Sequence, residues 1–228
     1  MATLAVPVSA QKRLSVYKYK RLAAESLKNT LRLHADSIFL FRSDSYPSAF
    51  QLAVLALEEF SKAKSIEHYY WSSVTNAGFP DYEFEQHWLS SLYSHPKKQY
   101  HFVARDLFDF SPKLVRFIAS KKFEEKKQQA VYVGLERNGK HVDTTSRVST
   151  PERIKEADAR QIISLVNQEF VDIFNTIEKY DTYFGIDEMD ELIYPDLRHF
   201  LFSWPHRSGL KSRTLFLKQH IAGQSRGT

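Results

Sequence analysis

Between Ala49 and Leu57 only Gln51 is polar. A helix over this stretch is apolar almost all the way round and belongs among other helices rather than on a surface. Ala49, Ala53, Ala56, Phe60 and Ala63 recur in steps of four and three. That lines small residues along one stripe, where a neighbouring helix can approach closely. Directly after the apolar run come Glu58, Glu59 and Lys62. At helical spacing Lys62 shares a face with both glutamates. Two carboxylates and an ammonium at the edge of a core form either a local salt-bridge cluster or the beginning of a site.

The rest of the chain supports a helical reading. Seven glycines and eight prolines in 228 residues are too few for the frequent turns of a β-sandwich or barrel. The expected fold is mainly α: one helical-bundle domain over 1–228 with a small β-hairpin. The chain has no cysteine, hence no disulfide frame, thiolate zinc site or cysteine nucleophile. No signal-peptide pattern opens it, and its longest apolar run, Leu52–Leu57, is far short of a membrane span. A cytoplasmic protein with no membrane partner is the expectation.

Charge is unevenly placed. Residues 1–42 carry a net +6 and residues 198–228 another +6, so the middle of this +5 chain is strongly acidic. Basic ends fit a polyanion such as RNA, or ends that fold back onto the acidic centre.

In chain order, a basic helix is predicted over 9–42, broken at Ser43-Asp44-Ser45. The central helix follows, with Pro47 in its first turn, and runs to the Asn76-Ala77-Gly78 stop. Its second half presents Tyr69, Tyr70 and Trp71, an aromatic patch suited to packing. A third helix starts near Asp81. Pro96 either kinks it or begins a new helix capped by Ser94. Ser111-Pro112 opens a basic helix to Lys126-Lys127. Segments 130–135 and 141–144 then read as a hairpin around Asn138-Gly139. Thr150-Pro151-Glu152 is a cap, a proline and an acid in the right order for a helix start. A C-terminal helical extension is expected over 184–228.

Three stretches, in order, carry a resemblance: Ala53–Ala63 with its Glu58-Glu59 pair, His95 with Lys98, and Lys127 with Ala130, Tyr132 and Val133. Together they resemble the AbiV family of bacterial abortive-infection proteins over roughly Ala35 to Val166. The Asn138-Gly139 turn and the Pro151-Glu152 start fall where that family has a turn and a Pro-Glu helix. One departure is Ser61, where the family usually has glycine. The resemblance implies the HEPN superfamily, helical domains that often act on RNA in antiphage defence. It also implies a homodimer, and the enzyme reading it opens is one of translation arrest; a separate reading is a partner-sensing protein switched by a phage-encoded activator docking on the patch around Tyr69, Tyr70 and Trp71.

Metal-independent RNA cleavage needs a base for the 2′-hydroxyl, an acid for the leaving oxygen and a cation near the phosphate. His95 is the expected proton-transfer residue, with Lys62 and Lys98 on phosphate and Glu59, beside Glu58, orienting the imidazole. Lys97, Lys126 and Lys127 are expected to hold RNA. The opposing reading makes Glu58–Lys62 an ordinary helix pair and one of His87, His95 and His101 a packed core histidine. A second catalytic candidate is Arg213 with His220, matching the superfamily's Arg-then-His signature, two turns apart on a helix. Neither a metal nor a cofactor is expected: no dense metal-ligand spacing and no glycine-rich phosphate loop is present. The non-enzymatic alternative is a module that binds RNA or the ribosome, or senses a phage partner, without cutting.

Overall fold

The computed structural model describes residues 14–75, 82–104, 109–135, 137–138, 141–180 and 195–211. Two long helices, α1 (Val16–Arg42) and α2 (Tyr46–Thr75), are joined by a tight turn and run antiparallel. Asp44 makes the reversal possible by adopting the left-handed conformation, φ 59°, which Asp tolerates better than most residues. After α2 come α3 (Tyr82–Ser91), α4 (His95–Ala104), α5 (Pro112–Ala119) and α6 (Lys122–Gln129). A minimal ribbon, β1 (Arg137–Asn138) and β2 (His141–Val142), precedes α7 (Glu156–Tyr180) and α8 (Pro195–Phe202). The architecture is mainly helical, as the sequence indicates.

Helix α2 is the hub, packing against α1, α4, α6 and α7. Its small-residue stripe is the reason: Ala49, Ala53, Ala56, Phe60 and Ala63 are all at least 98% buried. With alanine at the contact positions, flanking helices come close without voids. The aromatic patch packs as expected, Tyr69 stacking on Trp88 of α3 with ring centroids 3.9 Å apart. Trp71 stays half exposed. Among the described residues no helix is long and apolar enough to cross a membrane.

Several sequence expectations are corrected. Helix α1 starts at Val16, where the Ser15 hydroxyl caps it by accepting from the Lys18 amide, and residues 9–13 of the expected helix lie outside the described residues. Of the two readings of Pro96 the structure shows the second, a new helix beginning at His95. The basic helix after Pro112 is two helices, split where Lys121 takes a left-handed φ of 61°. Segment 130–135 forms no paired strand beyond a single bridge, Gly134 to Ser149. Val131, Tyr132 and Val133 are all exposed, so no face is buried to fix a strand. Thr150-Pro151-Glu152 starts a short 3-10 turn, and Ile154 then reverts to extended backbone. The α7 helix begins at Glu156, where Asp158 reaches back to accept from the Lys155 amide in a capping-box contact. The expected stop at 76–78, the turn residue Gly139 and most of the 184–228 extension lie outside the described residues.

The chain does fold part of its basic C-terminal region onto its acidic middle. Lys211 bridges Glu169 (2.9 Å) and Asp172 (2.8 Å) on α7. Burial alone would lower its pKa, but the two carboxylates outweigh it and raise it.

Candidate functional site

Adjacent residues on a helix point about 100° apart, so Glu58 and Glu59 cannot face the same way. Glu58 is the one turned inward, with no solvent exposure. An isolated carboxylate in that position is costly, and it is met by donors from two other helices. From α4, His95 Nδ1 lies 2.5 Å from Glu58 Oε2, and Gln99 Nε2 donates to Oε1 at 2.7 Å. From α6, Lys127 Nζ donates to the same Oε1 at 2.9 Å. Lys98 Nζ stands 3.9 Å away on the Oε2 side. These contacts occupy both oxygens, about the full accepting capacity of a carboxylate.

A second and a third carboxylate extend the network. Glu59 pairs with Lys98 at 3.1 Å and with Lys62 at 3.6 Å. Glu124 of α6 accepts from Lys127 at 2.8 Å, from Gln99 at 2.6 Å and from Gln128 at 2.7 Å. Burial would raise the Glu124 carboxyl, but these donors, Lys127 foremost, overcome it and lower its pKa. Three ammoniums balance three carboxylates, so the cluster is close to neutral and hydrogen-bonded throughout, the condition under which buried charge is tolerated. Ser61 adds a neutral tie: its buried hydroxyl donates to the Lys98 carbonyl at 2.7 Å. Ser61 thus fastens α2 to α4 at the site.

The expected residues Glu58, Glu59, Lys62, His95, Lys98 and Lys127 are therefore brought together, with altered parts. Glu58, not Glu59, holds the imidazole. His95 is half exposed, whereas Lys98 and Lys127 are almost sealed by their carboxylates. Lys62 sits on Glu59 and 5.4 Å from the ring centre of the exposed Tyr93. Lys97 faces solvent on the first turn of α4. Lys126 points elsewhere, to Asp158 at 2.5 Å. Arg213 and His220 lie outside the described residues.

Sequence reading missed Gln99 and Glu124. Gln99 follows His95 by four residues, which would have placed both on one face of α4. Glu124 is hidden in a run of charged residues that reads as a solvated face. The packed core histidine is none of His87, His95 and His101. Among the described residues it is His34 on α1, fully buried, its Nε2 3.0 Å from Asn167 Oδ1 of α7. The Asn167 amide in turn donates to the Leu201 carbonyl at 3.0 Å, so its oxygen faces the ring and the Nε2–H is the donor. Burial pushes the His34 pKa down to about 4. His101 is also lowered, by burial first and Lys97 second.

With regard to chemistry, an imidazole whose Nδ1–H is bound by a buried carboxylate has a fixed tautomer. Its Nε2 carries the lone pair and can accept a proton. The surrounding ammoniums repel cations, so this donor set is unsuited to a metal ion.

The fold is mainly helical, with a carboxylate–histidine pair at the junction of three helices. The sequence profile of the AbiV family matches residues 18–171, and the chain belongs to that family of HEPN-type abortive-infection proteins. The match takes in nearly all of α1, more than the resemblance over 35–166 had covered, and stops within α7. No curated protein matches the chain, and no solved structure does.

Proposed function

We propose that this AbiV-family protein arrests translation by cutting RNA without a metal, with His95 moving the proton. The observation that carries the reading is the His95–Glu58 contact: a half-exposed imidazole held at Nδ1 by a fully buried carboxylate. His95 Nε2 takes the 2′-hydroxyl proton, and the 2′-oxygen closes on phosphorus. The 5′-oxygen then leaves with a proton from solvent. The products carry 2′,3′-cyclic phosphate and 5′-hydroxyl ends. Lys97 is the exposed cation on α4, and Lys62 and Lys98 hold Glu59, with Lys98 also beside Glu58. Family membership adds a homodimer to this reading, and a phage-encoded activator is its proposed trigger.

A second reading rests on the saturation of the cluster. Lys98 and Lys127 are occupied by carboxylates, so the network also serves as a strut between α2, α4 and α6. On that reading the protein holds RNA or the ribosome on its basic surface without cutting.

Incubating purified protein with total RNA in chelator separates the two. Fragments ending in cyclic phosphate support cleavage. A salt-sensitive mobility shift with intact RNA supports binding alone.

A further inference from the structure

The turn between α3 and α4 carries an open aromatic ring beside the Glu58 network. Leu92, Tyr93 and Ser94 donate their amides to the Leu89, Ser90 and Ser91 carbonyls at 3.0, 3.3 and 3.2 Å. The Ser94 carbonyl then accepts from the Lys98 amide at 2.9 Å, which opens α4. The Tyr93 backbone is thereby fixed two residues before His95. Tyr93 is nonetheless 67% exposed.

The ring is held as well. Lys62 Nζ of α2 stands 5.4 Å from its centroid, and Glu59 pins Lys62 at 3.6 Å. Lys98 links Glu59 to Glu58, which holds His95. A cation over one face leaves the other face of a mostly exposed ring to solvent. Two residues of chain span at most about 7 Å, so Tyr93 and His95 belong to one small patch. The exposed residues that follow on the first turn of α4, His95, Pro96 and Lys97, include no acid to repel a polyanion.

Single exposed aromatics are ordinary on a protein surface. Tyr93 differs in having backbone and ring both fixed while a face stays open beside a half-exposed imidazole. Such a ring is a platform on which an unpaired nucleobase stacks, whereas the bases of a duplex have no free face to offer it.

We infer that Tyr93 stacks one unpaired base of an RNA strand and so sets where that strand lies at His95. The inference rests on RNA reaching His95, as proposed above.

Fluorescence anisotropy of the full-length protein with a short, labelled 2′-O-methyl oligoribonucleotide tests it, because that strand lacks the attacking hydroxyl and stays uncut. Tyr93→Ala weakens single-strand binding about tenfold, the loss expected for one stacked base. Tyr93→Phe keeps the ring and binds within about twofold of wild type. The same strand annealed to its complement has no unpaired base, so Tyr93→Ala changes duplex affinity by less than about twofold, which a general structural defect would not spare. Phe39→Ala, which removes an exposed ring on α1, leaves both affinities within about twofold. Wild-type single-strand affinity in Tyr93→Ala would overturn the inference. So would an equal loss on the duplex, or no single-strand binding by the wild-type protein at micromolar concentration. Cleavage of unmodified RNA, followed in parallel, judges His95 separately. Fragments from wild type together with normal binding by Tyr93→Ala would overturn the Tyr93 contact alone. Intact RNA together with the tenfold single-strand loss would support that contact and overturn cleavage.

Discussion

Two buried polar clusters tie the bundle together, and they are built on opposite principles. Between α1 and α7, His34 and Asn167 form a neutral pair, sealed from water and closed by the Leu201 carbonyl. Between α2, α4 and α6, Glu58 gathers a histidine, a glutamine and lysines into an ionic network with one open end. Each cluster contains one imidazole. In the first, desolvation holds the ring uncharged and no substrate can reach it. In the second, a carboxylate orients the ring and solvent reaches its side chain. The environment, not the residue type, separates a packing histidine from one equipped to move protons.

The largest effect that would sharpen this contrast is expected in the ionic cluster. Lys127→Ala removes the cation shared by Glu58 and Glu124 and leaves the fully buried Glu58 carboxylate short of a partner. A loss of about 3–5 kcal/mol is expected, a fall of roughly 10 °C in melting temperature by calorimetry. An unchanged melting point would mean that the network contributes nothing to holding α6.

Next comes the neutral cluster, through pH. The folded-state pKa of His34 is about 4 against an ordinary 6.5. The unfolded chain therefore binds a proton at a pH where the folded chain does not. Stability is full above pH 6.5 and is lost as pH falls from there towards 4. The loss amounts to about 2 kcal/mol by pH 5 and about 3 kcal/mol by pH 4. In urea titrations across this window, His34→Leu removes that share of the pH dependence, whatever its stability at neutral pH. An identical pH slope in the variant would place the titrating group elsewhere.

A smaller effect belongs to Ser61. Ser61→Gly removes the hydroxyl bond to the Lys98 carbonyl and adds the backbone freedom of glycine in mid-helix. About 1–2 kcal/mol of destabilisation is expected for Ser61→Gly, and roughly half of it for Ser61→Ala. Unfolding by urea distinguishes the two contributions.

How far these clusters were legible in the sequence follows from what each depends on. The hub helix α2 was readable because an unbroken apolar run leaves no exposed face, and its alanine stripe gives the packing side. Which of Glu58 and Glu59 turns inward was not, since that depends on the rotation of α2 against α4. The contact of Glu58 with α4 and α6 joins segments about 37 and 69 residues apart, beyond any local periodicity. His34 sits among Leu33, Ser37 and Ile38, and nothing local announces that Asn167, 133 residues away, awaits it. The misread boundaries have separate, local causes: Ser15 caps α1, Asp158 caps α7 past the Thr150 signal, and Val131, Tyr132 and Val133 are exposed, with no buried face to hold a strand. Lys121 in the left-handed region has no sequence mark, because glycine is the residue that usually signals it.

The largest effect on chemistry belongs at His95. His95→Ala also takes away the donor that Glu58 Oε2 is bonded to, so a loss of about 1–3 kcal/mol of stability is expected alongside it. The deciding measurement is RNA cleavage by His95→Ala and His34→Leu beside wild type, each taken at a temperature where it is folded. The account predicts cyclic-phosphate fragments from wild type and from folded His34→Leu, and none from His95→Ala. Cleavage by His95→Ala at the wild-type rate would contradict it.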